Sequence, residues 1–596
     1  MVERLKIENL KFFGIIIKSF CSMFGIIYLM TSELRQVSIL VYIALFAAFY
    51  LVYRGRQHDE YPRQVYVITG IFTMLLILGN DFLGIFLAAP KLLILLQILM
   101  AIAGWVCIFR ELLGCVYEKW VSLDEKVRCC KPEEREHVKR CFLICFVLLE
   151  IVYMLYFLNQ YPGSLSTDTP GQLGEAVGIR SFENANPLIN TLVITLCVRT
   201  VMWLGGDVNA GVAMYTFVQL TLAAAVFAYT VSVIYKKGYH KYLVIIGEAF
   251  FGLVPYNIVY ATGMWKDTFF ALSFLMVIVY FWDIVERDKE VGKRQAVVLS
   301  VLALICSLAR NSGWSSLLAF AVVLIIDGLR RDRGKLRYAL AVTAGVVVSF
   351  VIVTFIYPFI IGRSGNGNIT TALSVPIQQV SRVVAIGCEL EPEDREMINR
   401  LMNIDEMAQV YDETISDPIK FSLDRAELSA HWDEYVQLWI RLGKTYPKCY
   451  LDAYLALTKN YWYPDASSWT WDARVFENNM GVKRTPIFLP GIDITEYFSR
   501  IYTFPKASVF KNHSTVLWFI IICLGYAGLK KNKSAMIMYV PILAIYAGLM
   551  FTSPVALFRY TYGAIVCIPM LVCFPYLRTE QEEESSAAKE GERDAC

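Results

Sequence analysis

Pro187-Leu-Ile-Asn-Thr-Leu-Val-Ile-Thr-Leu-Cys-Val-Arg-Thr-Val-Met-Trp-Leu204 is the stretch on which the topology of this chain turns. It is apolar enough to be read as a membrane crossing, yet Asn190, Thr191, Thr195 and Arg199 interrupt it. Leu188, Leu192 and Leu196 recur at four-residue spacing beside Ile189 and Val193, the period of one helix face. That pattern predicts a helix lying in the membrane interface rather than one passing through it. A crossing here would reverse the side of every later loop.

The sequence on either side is that of a polytopic membrane protein. Its 596 residues are 56% hydrophobic and 18% charged, with mean hydropathy +0.48, which excludes a soluble multi-domain chain. A net charge of +3 does not point to nucleic acid. The apolar residues fall in runs of about 17–25, enough for a helix to cross a hydrocarbon core of about 30 Å. Fourteen spans are predicted, near residues 12–30, 37–53, 65–79, 91–109, 141–158, 210–235, 242–260, 268–285, 295–309, 313–329, 338–360, 514–529, 535–551 and 557–577. Basic loops separate alternate spans: Arg54 to Arg63, Arg110 to Arg140, Lys236 to Lys241, Arg287 to Arg294, Arg330 to Arg337 and Lys530 to Lys533. The positive-inside rule makes these cytoplasmic, together with both ends, in a multi-pass protein of the plasma membrane.

The organisation that follows is a four-helix region at 1–140, a membrane core at 141–360 with a first outer loop at 159–209, a small and mainly helical extracytoplasmic domain at 361–513, three closing helices at 514–577 and a disordered cytoplasmic tail at 578–596. The first apolar run leads into further spans, so no cleaved signal peptide is expected. Cysteine adds little. Cys129-Cys130 lack a second pair, which argues against zinc, and Cys388 and Cys449 in the large loop suit either a disulfide or two free thiols.

Polar residues gather at the outer ends of the spans. In the first outer loop, Asp168 precedes Thr169-Pro170-Gly171-Gln172, a helix start with proline at the first helical position. Asp168 is either part of that helix cap or a carboxylate facing the headgroup region, able to take a proton or hold a cation. Gln172 and Glu175 follow at helical spacing. Lys266-Asp267 opens the eighth span, Arg310 sits between the ninth and tenth, and Arg559 precedes the last. Each has an anchoring reading at the interface, but three cations on one face suit a phosphate.

The acidic residue after a span, Asn186 before a proline, the interfacial helix and the turn Gly205-Gly206 together resemble the first outer loop of the GT-C superfamily, membrane glycosyltransferases that use polyprenyl-phosphate sugars. With Gln378 and Arg382 in the large loop, and Trp439, Tyr446-Pro447 and Tyr461-Trp462-Tyr463-Pro464, the chain resembles an uncharacterised bacterial family of GT-C type over residues 141–577. The resemblance implies that Asp168 is the catalytic carboxylate and that Asp267 is a second acidic position. Asn186 stands where relatives often carry His or Lys.

The expected activity is transfer of a sugar from a polyprenyl-phosphate donor to an envelope glycan or lipid acceptor on the extracytoplasmic face. Lys266, Arg310 and Arg559 would neutralise the departing phosphate, with Asp168 as base. Gln172, Glu175, Asn186, Asp267, Gln378 and Arg382 complete the expected binding set, and among the loop aromatics Trp462 and Trp469 are the sugar-stacking candidates. Asp168, Glu175 and Asp267 are the candidate ligands if Mg²⁺ or Mn²⁺ takes part. A lipid-linked oligosaccharide flippase and a non-catalytic envelope scaffold are the competing readings. Charged residues well inside spans are few, Lys18, Glu150 and Glu248, which argues for surface chemistry over transport.

Overall fold

The computed structural model describes residues 2–30, 38–56, 60–80, 92–127, 137–165, 168–184, 186–285, 292–310, 313–330, 333–361, 373–464, 470–503 and 512–577. Trp469, Cys129-Cys130 and the C-terminal tail lie outside these residues. Among the described residues the fold is helical, and extended pairing is confined to isolated bridges.

Every predicted span falls on a helix. Among the described residues eight helices are long and apolar enough to cross a membrane, or up to ten spans if each of two bent pairs counts as one, short of the fourteen predicted. Predicted span 242–260 is one such pair: Lys241–Leu253 and Pro255–Thr262 meet at 55°. Pro255 cannot donate the helical hydrogen bond and its ring crowds the preceding turn, so the helix restarts there. The last span bends by 44° between Phe558–Ile565 and Ile568–Tyr576, again beside a proline, Pro569. The short helices Ile39–Gly55, Arg63–Gly79, Leu188–Trp203 and His513–Leu529 are apolar as well.

Two compact units divide the chain, residues 1–126 with 521–531, and residues 127–520 with 532–596. In the first, the buried Trp105 indole donates to the Gly25 carbonyl at 2.9 Å. Glu111 is buried there too, accepting from Tyr61 at 2.7 Å with Arg56 and Arg110 beside it.

In the second unit, Leu188–Trp203 is a helix packed on Thr169–Val177 and Val208–Lys236. Of the residues that interrupt its apolar pattern, Asn190 and Thr191 are fully buried and Thr195 is half-buried, while Arg199 is exposed along with Leu192, Leu196 and Trp203. Arg199 donates to the Ala176 carbonyl at 2.9 Å. Polar side chains buried with partners satisfy one another, so the outward apolar face is free for another medium.

The large loop contains a helical domain from Ser374–Ala385 to Pro447–Trp462, with Val383, Ile398, Met407, Leu438 and Leu442 in its core. Cys388 and Cys449 face each other there as free thiols with sulfurs 3.9 Å apart. The chain then runs back irregularly. Leu165 N–H donates to Arg474 O at 3.1 Å and Phe476 N–H to Leu165 O at 2.9 Å, so residues 474–476 lie along the first loop.

Gly163 makes this passage tight. Its φ is +114°, and a Cβ there would lie against the Thr216 hydroxyl and 2.9 Å from the Thr262 carbonyl oxygen. Both the backbone conformation and the space favour glycine. Gly163→Ala is expected to cost about 1–3 kcal/mol, seen as a lower melting temperature in detergent. A melting temperature equal to wild type would show that the loop has room there.

Candidate active site

Three short stretches are stitched together before any charge is placed. Ser164 pairs with Gly263 in an isolated parallel bridge, and Met264 N–H donates to Ser164 O at 3.2 Å. The Thr169 hydroxyl donates to Met264 O at 2.6 Å. From beneath, the buried Gln219 amide donates to the carbonyls of Tyr260, Ala261 and Gly263 at 3.2, 3.0 and 2.6 Å, satisfying the open end of the helix Pro255–Thr262. These bonds bring the residues on either side of the stitch, Asp168 and Lys266, together.

Asp168 caps nothing. It occupies the N-cap position of Thr169–Val177, but its backbone is helical and its side chain makes no capping bond. The carboxylate instead takes Lys266 Nζ at 2.9 Å and an Arg559 guanidinium nitrogen at 3.1 Å, both on Oδ2. Arg559 lies 3.8 Å from Asp267, and Arg310 lies 3.4 Å from the same carboxylate. Lys266 also donates to Asn186 Oδ1 at 2.6 Å. Two carboxylates thus alternate with three cations, joining the segments around residues 168, 186, 266, 310 and 559.

The exposures differ in a useful way. The Asp168 side chain is 38% exposed, whereas Asp267 is 1% exposed and its oxygens have no hydrogen bond in good geometry. Asp267 lies in the first turn of Lys266–Val285, where the helix N-terminus favours negative charge. Arg559 lies in the first turn of Phe558–Ile565, where the same dipole is unfavourable, so the carboxylates are needed to hold it. Tyr560 completes the arrangement: its ring lies under both guanidiniums, at 4.7 Å from Arg310 and 4.9 Å from Arg559. Its carbonyl accepts from Arg310 at 3.1 Å. Burial alone would push the Asp168 carboxyl up, but Lys266 and Arg559 outweigh it and hold it well below the usual carboxylate range.

The remaining sequence candidates lie elsewhere. Gln172 is buried toward the neighbouring helix, donating to Thr191 at 3.0 Å and accepting from Asn190 at 3.4 Å. Glu175 accepts from the Glu183 N–H at 3.3 Å, away from the cations. Gln378 donates to Asp412 O at 2.7 Å and Arg382 pairs with Glu413 at 3.2 Å, both within the loop domain. The Trp462 ring is buried with its N–H on Thr458, which leaves no open face for a sugar. Asp168, Glu175 and Asp267 do not converge: among the described residues no group of three or more Asp, Glu, His or Cys side chains is placed to hold a metal. The Mg²⁺ or Mn²⁺ expectation therefore finds no fitting donor set among these residues. Gln219, Tyr260 and Tyr560 do the positioning, and only a lone amide in an apolar span marked Gln219 in the sequence.

Burial pushes the Glu175 carboxyl up to about 7. The folded state therefore prefers the protonated form. That contribution is present below the unfolded value near 4.3 and is lost as pH rises through 7. Glu175→Gln is expected to flatten the fall in melting temperature between pH 5 and 8 and to raise it at pH 8 by roughly 1–2 °C. An unchanged pH profile would place the titration elsewhere.

A family model described as a family of unknown function, DUF6020, matches residues 180–590, more than two thirds of the chain. The chain belongs to the DUF6020 family. No curated protein and no solved structure matches it. The DUF6020 match takes in Asn186, Lys266, Asp267, Arg310 and Arg559, while Asp168 lies ahead of it. Within this DUF6020 chain, the cation-rich part of the cluster thus falls inside the matched region.

Proposed function

We propose that this protein is a membrane glycosyltransferase that moves a sugar from a polyprenyl-phosphate donor to an envelope glycan or lipid acceptor at the extracytoplasmic face. The observation that carries the reading is the cluster of Lys266, Arg310 and Arg559 around Asp168 and Asp267. Among these five side chains three cations stand against two carboxylates, a net positive charge that suits a phosphate monoanion. The topology of fourteen crossings, with Leu188–Trp203 along the interface, belongs to the same proposal and puts the cluster on the side of the large loop.

The donor phosphate competes with Asp168 for Lys266 and Arg559. As the cations turn to the phosphate, Asp168 loses the charges that hold its carboxyl low and becomes a better base. The acceptor oxygen attacks the anomeric carbon, and its proton passes to Asp168 Oδ1, the oxygen the cations leave open. The bond from the anomeric carbon to the phosphate oxygen breaks, and that oxygen keeps the electron pair. The polyprenyl phosphate leaves as an anion already neutralised by Lys266, Arg310 and Arg559. A single displacement inverts the anomeric centre.

Purified protein in liposomes, given labelled polyprenyl-phosphate sugars and a membrane glycolipid fraction, tests this directly. Label transferred to acceptor is the expected result. Label moved between leaflets without transfer would instead establish the flippase. Neither movement nor transfer leaves the scaffold.

A further inference from the structure

Residues 471–478 form one wall of an open cleft of about 840 Å³, closed on other sides by Gln160 and by residues 482–499. That volume falls within the range of small-molecule sites, about 300–1,000 Å³. The lining includes Trp471, a half-buried aromatic side chain. Its charges balance: Asp472, Glu477 and Asp493 stand against Arg474, Lys483 and Arg484. Asp472 pairs with Arg474 at 2.6 Å and Asp493 with Arg484 at 3.2 Å.

An anionic ligand would call for an excess of cations, and an apolar one for a wall without so many charges. Equal numbers of strong donors and acceptors beside an indole face fit a neutral molecule with many hydroxyls and an apolar face of its own. The cleft is also tethered to the charged cluster at two points. Leu165, bonded to both Arg474 and Phe476, is three residues before Asp168, so the chain keeps the two within about 11 Å. The Tyr260 hydroxyl donates to Thr470 O at 2.9 Å, and the Tyr260 ring packs on Trp265, next to Lys266.

We infer that this cleft binds a neutral glycan, with Trp471 as the stacking platform, and delivers the glycan's terminal hydroxyl toward Asp168. The inference rests on the glycosyl-transfer reading for its purpose, but the binding itself does not depend on catalysis. It also makes Trp471, rather than Trp462, the sugar-facing aromatic of the large loop.

The test uses full-length protein in nanodiscs, titrated separately with maltotriose, mannotriose and chitotriose and followed by saturation-transfer NMR. At least one trisaccharide is expected to bind, with affinity lowered tenfold or more by Trp471→Ala and largely kept by Trp471→Phe. Wild-type protein that binds none of the three, or a Trp471→Ala variant that binds as wild type, overturns the inference. Decyl phosphate is titrated in parallel. Glycan binding without decyl phosphate binding would sustain the cleft while removing the glycosyl-transfer reading; the reverse would sustain the phosphate site and remove the cleft.

Discussion

Asp168→Asn is expected to lower sugar transfer by about 10²–10⁴-fold, the range for loss of a general base, and to tighten the binding of decyl phosphate. The two effects run in opposite directions because Asp168 has two roles. In the resting protein it occupies Lys266 and Arg559 at 2.9 and 3.1 Å. An incoming phosphate must displace it. Asparagine is nearly the same size and carries no charge, so the cations are freed in advance, and affinity for the phosphate is expected to rise roughly tenfold, or about 1.4 kcal/mol. An uncharged decyl alcohol serves as control and gains nothing.

The pH dependence follows from the same pairing. A carboxyl held below its unfolded value contributes stability above that value and loses it only as pH falls through the folded one. For Asp168 the folded value is far on the acid side. Between pH 5 and 8 it stays ionised, so decyl phosphate affinity in this window is expected to show no step from Asp168. Transfer lost in Asp168→Asn with phosphate affinity unchanged would mean that the carboxylate does not compete for the cations. Transfer retained would remove it from the mechanism.

Asp267→Asn is expected to have the largest effect on stability. Asp267 is 1% exposed and lies beside Arg310 and Arg559, themselves largely buried. Removing its charge leaves the two guanidiniums over the Tyr560 ring with Asp168 as the remaining carboxylate of the cluster. Breaking a buried pair in this way costs about 3–5 kcal/mol. The melting temperature in detergent should fall markedly, and decyl phosphate should restore part of it by supplying the missing negative charge. Combining Asp267→Asn with Arg310→Met tests the pairing, because the double variant removes one of the unpaired cations. A double variant more stable than Asp267→Asn alone is expected, whereas simply additive losses would show that the two residues do not interact.

The helices were legible because a bilayer imposes its own length and composition on the chain. Hydropathy placed every predicted span on helical residues, from Lys11–Leu29 to the bent pair at residues 558–576. The bends at Pro255 and Pro569 were visible as residues, but their angles depend on how neighbouring helices close around them. Leu188–Trp203 shows the limit of pattern reading. Its period was plain, yet which face turns inward was decided by Gln172 and Tyr215, which give Asn190 hydrogen-bonding partners.

The site divides in the same manner. Asp168, Lys266, Asp267, Arg310 and Arg559 each stood out as charges at the end of an apolar run, and that much is local chemistry. Their assembly is not local: Arg559 reaches Asp168 across 391 positions of sequence, through stitching by backbone groups that are the same in every residue. Glu175 and Gln172 share the helix of Asp168 but were drawn to other partners, and Trp462 is buried with its N–H on Thr458. What the sequence by itself determined was an embedded helical chain with charges at its span ends, because transfer free energy acts residue by residue. Which charges meet was left to the tertiary structure, because an ion pair depends on distance in space.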